Sequence, residues 1–171
     1  MQVVRSVLLF VDDMYEDLEL WYPKVRMEEA GFKTVVAAEI AGKTYNGKHG
    51  YPCKSDIAYE NVEISHFDGL IVPGGYAPDK IRRHVKALEI VRHMVQGNKL
   101  IAFICHAGWV AISAKILKGK KVTGFIAIKD DLENAGAIYT DEPCVVDGKI
   151  VTSRKPADLP AFCKAILKQL G

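Results

Sequence analysis

The segment "LIAFICHAGWVAISAKIL", Leu100 to Leu117, constrains the fold more than any other. Leu100 to Ile104 is a short apolar run suited to a buried strand. Gly108 to Leu117 carries Ala, Ile, Val and Trp at helical spacing. Only Cys105, His106 and Ala107 lie between them, so strand must turn into helix with no loop. A strand that feeds a helix directly belongs to a βαβ unit, whose helices cover a parallel sheet. The sharp turn projects one side chain, that of Cys105, from the end of the strand.

The rest of the chain repeats this alternation. "SVLLFV" (Ser6 to Val11) reads as the first strand, and Glu16 to Gly31 as a helix. Acids fill that helix's first turn, Gly31 is its C-cap, and Pro23 implies either a kink there or a later helix start. "TVVAAE" (Thr34 to Glu39) is the second strand. A Gly-rich loop region with short strand pieces follows. "DGLIVPGG" (Asp68 to Gly75) is a buried strand ending in a Pro-Gly-Gly turn, and Ala87 to Gly97 is an amphipathic helix. "KVTGF", "AIYT" and "CVVDGKIVTS" are later strands, the last with a two-residue hairpin signal at Asp147-Gly148. "PADLPAFCKAILKQL" closes the chain as an amphipathic helix. In a parallel sheet of this kind, ligands bind beyond the carboxyl ends of the strands. The loop after Val11, the turn at Pro73 to Gly75 and the elbow at Cys105 all lie there.

Composition narrows the function. The 171 residues are 49% hydrophobic, enough for one domain spanning residues 1–171 with a sizeable core. Net charge is only +2, so no basic patch for nucleic acid is expected. The apolar runs are strand-length, short of the ~20 residues of a membrane span. "MQVVRSVLLFVDD" reads as a first strand rather than a signal peptide, and the expected location is the cytoplasm. The four cysteines form no C-x-x-C pair, and no second pair of ligands stands at metal spacing near Cys105 and His106. No metal and no cofactor is therefore expected. His49, His66, His84 and His93 read as solvated or capping residues.

At the elbow, helix N-terminal N–H groups favour thiolate over thiol. They predict a Cys105 pKa below the ~8.5 of a free cysteine. The backbone N–H of His106 is placed to hold an oxyanion, with Gly75 as a second donor. His106 acts as general base or acid, or else only packs at the helix start.

These segments also resemble a known group. "YEDLELWYP", "GKHGYPCKSD", "FDGLIVPGGYAPD", "ICHAGW", "IKDDLENAGA" and "VVDGKIVTSRKPADLPAF" are similar, in order and over nearly the whole chain, to the DJ-1/PfpI superfamily. The likeness is closest to its PfpI branch of intracellular peptidase-like and deglycase-like enzymes. The resemblance implies a flavodoxin-like three-layer α/β sandwich with a mostly parallel sheet, and a homo-oligomer built from dimers. It implies Cys105 as nucleophile, His106 as its following histidine and Glu19 as the acid beside the sulfur, buried and protonated. It further implies Gly75 as oxyanion donor, and Asp79 as an acid offered to the histidine of the neighbouring subunit. The implied substrates are small carbonyl compounds or glycated protein and peptide. The other class of function is a redox-sensing or chaperone-like stress protein that uses Cys105 without turnover. Relatives commonly carry Gly-Pro after the histidine, where this chain has Ala107-Gly108 and then Trp109. Some carry an aromatic hydroxyl near Phe125. Those positions bear on substrate choice.

Overall fold

The computed structural model describes residues 5–171. In chain order its elements are β1 (Ser6–Phe10), α1 (Asp17–Glu29), β2 (Lys33–Ala38), β3 (Thr44–Asn46), β4 (Pro52–Lys54), β5 (Ile57–Ala58) and β6 (Gly69–Val72). They continue with α2 (Ala77–Ile81), α3 (Val85–Gln96), β7 (Leu100–Ile104), α4 (Gly108–Ala114), β8 (Lys121–Val122), α5 (Lys129–Asn134), β9 (Ile138–Tyr139), β10 (Cys144–Asp147), β11 (Ile150–Ser153) and α6 (Leu159–Leu170).

Seven strands form the central sheet in the order β10-β11-β7-β6-β1-β2-β5. Every neighbouring pair is parallel except the β10–β11 hairpin. Strands β6 and β7 are buried along their whole length, which is why they read as unbroken apolar runs rather than alternating ones. Helices α1 and α6 pack together on one face, and α3 and α4 pack together on the other. This is the mostly parallel sheet expected from the alternation, in the three-layer sandwich that the resemblance implies. Among the described residues no helix is long and apolar enough to cross a membrane.

The sheet order also locates the site. From β1 the chain winds outward to β2, then returns to place β6 on the opposite side of β1. The connections at the carboxyl ends of β1 and β6 therefore diverge and leave a crevice. The residues after β7, next door to β6, open into the same crevice.

Local departures have physical reasons. Pro23 lies inside α1 without ending it, because the helix is anchored by the burial of Leu20, Pro23 and Met27. Helix α1 stops at a Schellman motif: Gly31, at φ +90°, donates to the Glu28 carbonyl, and Phe32 donates to that of Met27, both at 3.0 Å. Helix α4 ends at Ala114 rather than Leu117, with Lys115 in the left-handed region. The strands expected at "KVTGF" and "AIYT" shrink to β8 and β9, which pair with each other outside the central sheet. In the last hairpin Asp147 pairs with Ile150, so the turn residues are Gly148-Lys149, one position later than the sequence signal. Gly148 is the turn residue with positive φ, at the first central position, as a type II′ turn requires.

Candidate active site

Strand β7 ends at Ile104, and Cys105–Ala107 forms one 3-10 turn before α4 begins. Cys105 has φ 60°, a left-handed conformation that costs a non-glycine residue about 1–2 kcal/mol. Such strain persists only where surrounding structure imposes it. Here the Cys105 carbonyl accepts the N–H of Phe125 at 3.2 Å, and the side chain turns into the crevice. The backbone N–H groups of His106 and Gly75, the two donors expected for an oxyanion, both favour the thiolate form of the sulfur.

The loop before α1 and the turn after β6 are zipped together. Tyr15 and Gly75 form an antiparallel bridge, Glu16 N–H donates to the Gly74 carbonyl at 3.1 Å, and Tyr76 N–H donates to that of Met14 at 2.8 Å. This brings Glu19, in the first turn of α1, under the elbow. Glu19 is fully buried, and its Oε2 accepts the Gly74 N–H at 2.8 Å. Its Oε1 is buried without a hydrogen-bond partner.

Two acids packed side by side in a dry site compete for ionisation. Burial, offset in part by the Gly74 N–H, raises the Glu19 carboxyl to about 8, so at neutral pH it holds its proton. Burial, and then the charge of Glu19, push the Cys105 thiol up to about 12. The elbow's N–H donors therefore do not lower the thiol of the isolated chain, as the sequence led one to expect, because desolvation outweighs them. Once Glu19 is protonated, its repulsion of a thiolate disappears and its O–H becomes a donor.

The raised carboxyl has a measurable consequence. Its pKa rises on folding from 4.5 to about 8, so folding favours the protonated form. The contribution of Glu19 to stability is thus fully present below pH 4.5 and is lost as pH climbs through about 8. Glu19→Gln should remove that slope in thermal melts across this range, and it should preserve Cys105 alkylation better than Glu19→Ala does. Parallel pH–stability curves for wild type and Glu19→Gln would mean that Glu19 is ionised in the fold.

His106 touches the sulfur directly, its Nδ1 lying 3.2 Å from Sγ. Phe125 stacks on the ring at 4.9 Å, and Trp109 meets it edge-on at 5.1 Å. Burial between these rings, with the nearby charge of Lys48, lowers the His106 pKa and favours neutral imidazole. Trp109 is itself held by its indole N–H on Asp131 at 2.9 Å. The departures at Trp109 and Phe125 thus form the wall around the histidine.

Asp79 stands apart. It is exposed on α2 and pairs with Arg83 at 3.3 Å, on its own helix. Among the described residues no carboxylate pairs with His106. Cys53 and Cys163 are buried thiols raised by desolvation to about 11 and about 12. His49 and His66 are exposed, whereas His84, read as solvated or capping, stands at the N-cap position of α3 without a side-chain cap hydrogen bond and is half-buried between Asp12 at 3.7 Å and Glu39 at 4.0 Å.

Three neighbours escaped the sequence reading. Lys48, on the β3–β4 loop, sets its Nζ 2.6 Å from Glu16 Oε2 at the rim of the crevice. Asp17, buried, accepts the N–H groups of His49 and Tyr51, each at 2.9 Å, and so braces that loop. Gly47 admits the brace, since a Cβ there would lie 2.3 Å from Asp17 Oδ1. Glu16, Asp17 and His49 could together offer ligands to a metal ion, but both acids are already engaged. The polar "NGKHGYP" between two short strands marks a loop, but nothing in its spacing says where it folds.

Comparison with known proteins identifies the family and the fold. The DJ-1/PfpI family matches residues 5–169. Deglycase PfpI of Pyrococcus furiosus is 42% identical over 165 residues, covering 96% of this chain and 99% of that protein. Deglycase TK1284 of Thermococcus kodakarensis is 44% identical over 165 residues, with the same coverage of 96% and 99%. A solved two-domain protein of Anabaena variabilis, containing DJ-1/ThiJ/PfpI-like and ferritin-like domains, superposes with a TM-score of 0.96 at 40% identity. That match covers 98% of this chain and 48% of the other.

Proposed function

This chain belongs to the DJ-1/PfpI family, and from that premise we propose that it is a cysteine-dependent deglycase or glyoxalase-like enzyme acting on carbonyl electrophiles. The observation that carries the reading is a cysteine held at φ 60° on a strand-to-helix elbow, with a histidine nitrogen 3.2 Å from its sulfur and a fully buried carboxyl packed across Gly74 from it. In the proposed reaction, the Cys105 thiolate bonds to the aldehyde carbon of free methylglyoxal, whose carbonyl π pair moves to oxygen as an alkoxide, or to the same carbon of a hemiaminal adduct, where the C–N bond breaks as the C–S bond forms and the amine takes a proton. The N–H groups of Gly75 and His106 hold that alkoxide as charge develops. From free methylglyoxal, a proton then leaves the former aldehyde carbon and returns to the neighbouring carbon. One carbon is oxidised as the other is reduced, so no external oxidant enters. Water releases the resulting thioester as a 2-hydroxy acid and restores the thiol. With an amine adduct, the amine departs as the leaving group. His106, held neutral, is the group suited to carry the proton.

We infer as well that the site is completed in an oligomer. Among the described residues His106 has no carboxylate partner, and Asp79 is exposed and paired with Arg83. A neighbouring copy's Asp79 would fix the histidine's tautomer, as the third member of a triad does. The experiment is an activity panel of methylglyoxal, a glycated peptide and an unfolded protein, run on wild type and on a mixture of Cys105→Ala with Asp79→Ala. Turnover of the first two substrates, with partial recovery in the exchanged mixture, is expected. Cleavage of the unfolded protein alone would make the chain a peptidase. Oxidation of Cys105 by peroxide with no turnover would make it a sensor. Subunit exchange without recovery would remove Asp79 from the site.

A further inference from the structure

Lys48 is delivered to the active site by a loop built to hold it there. The Lys48 backbone N–H donates to the Tyr15 carbonyl at 2.8 Å, and the Asp17 carboxylate pins the next turn through His49 and Tyr51. Its ammonium rests on Glu16, whose side chain is 7% exposed, while the lysine side chain remains one-third open to solvent at 33%. Glu16 is in turn part of the zipped loop: its N–H binds the Gly74 carbonyl, and a Cβ on Gly75 would lie 2.4 Å from its nitrogen. One cation therefore sits against the segment that presents both the Gly75 donor and Glu19.

We propose that Lys48 is a positioning residue for the nucleophile: held on Glu16, its ammonium stabilises a single negative charge shared by Cys105 and Glu19. Its charge acts on Cys105, Glu19 and His106, at each more weakly than burial does, and it favours the charged form of both acids. The ionisable groups around that charge are Glu16, Asp17 and Glu19 from α1 and the loop before it, Lys48 and His49 from the β3–β4 loop, and Cys105 and His106 from the elbow. Glu16 opposes the effect, since its own charge disfavours ionisation of Glu19 and it draws the ammonium toward itself. Lys48 and Glu16 thus act on the pair with opposite sign, which a purely structural ion pair would not do.

The inference rests on the proposed role of Cys105 as nucleophile, but its test needs no substrate. The rate of Cys105 alkylation by iodoacetamide is followed against pH, with peptide mapping, for wild type, Lys48→Met, Lys48→Arg and Glu16→Gln. An opposite charge within about 4–6 Å moves a pKa by roughly one unit or more, and Lys48, already paired with Glu16, should do no more than the lower figure. Lys48→Met should therefore raise the midpoint by about one pH unit, and slow alkylation about tenfold below it. Lys48→Arg should restore most of the loss. Glu16→Gln should move the midpoint downward. If Lys48→Met melts earlier but keeps the wild-type midpoint, Lys48 is only a structural strut. If Lys48→Met does not fold, an unmoved midpoint in Glu16→Gln overturns the proposal equally. Label on another cysteine would instead overturn the nucleophile reading itself.

Discussion

Replacement of Cys105 by Ala should abolish turnover of methylglyoxal and of a glycated peptide, a loss of at least about 10³-fold. The residual donors at Gly75 and His106 bind a carbonyl but form no bond to it. The same variant should fold and melt near the wild-type temperature. Truncating a side chain held at φ 60° beside a buried acid removes a small apolar contact and leaves the backbone strain unchanged. Initial rates on both substrates, set beside a thermal melt, check the two halves together. Turnover within tenfold of wild type would put the chemistry elsewhere. Cys53 and Cys163 are poor substitutes, because burial raises both thiols and no oxyanion donors converge on them.

The second large effect is expected at a residue with no side chain. Gly74 is a spacer between the two acids. A Cβ there would lie 2.4 Å from Glu19 Oε2, 2.7 Å from Cys105 Cβ and 3.0 Å from the Ile104 carbonyl oxygen. None of these is the free end of a flexible side chain: Glu19 is fully buried and Ile104 closes a central strand. Gly74→Ala must therefore push the β6 turn away from the elbow. That breaks the Gly74–Glu19 hydrogen bond and moves the Gly75 N–H off the sulfur. Overpacking of this kind costs about 1–3 kcal/mol, and misplacing an oxyanion donor costs about 10²-fold in rate. Chemical denaturation gives the first quantity and the methylglyoxal rate the second. A Gly74→Ala protein of wild-type stability and rate would show that the turn has slack, and that the close approach of Glu19 to Cys105 is not enforced.

These two residues differ in how far the sequence revealed them. Cys105 was legible because an apolar strand, a reactive residue and a helix follow one another without a loop, and backbone geometry leaves few ways to join them. The double glycine at Gly74-Gly75 was legible as a turn, and Gly75 as a donor. That Gly74 separates the two acids could not be read, since it depends on how near α1 comes to the elbow. Asp79 was named by resemblance, and within the chain it is an exposed partner of Arg83.

The sequence by itself determined the order of strands and helices, the parallel sheet and the elbow. These depend on local periodicity and on the short reach of the chain between elements. Tertiary structure decided the rest. Lys48 and Glu19 are 29 positions apart in the numbering, and each is more than 50 from Cys105. They meet because β1, β6 and β7 are adjacent in the sheet and because Asp17 folds the β3–β4 loop back over α1. The direction of the thiol's pKa turned on the same fact. A helix start next to Cys105 in sequence favours the thiolate, but desolvation and a neighbouring carboxyl are properties of the packed crevice, and in a medium that excludes water they outweigh the local donors.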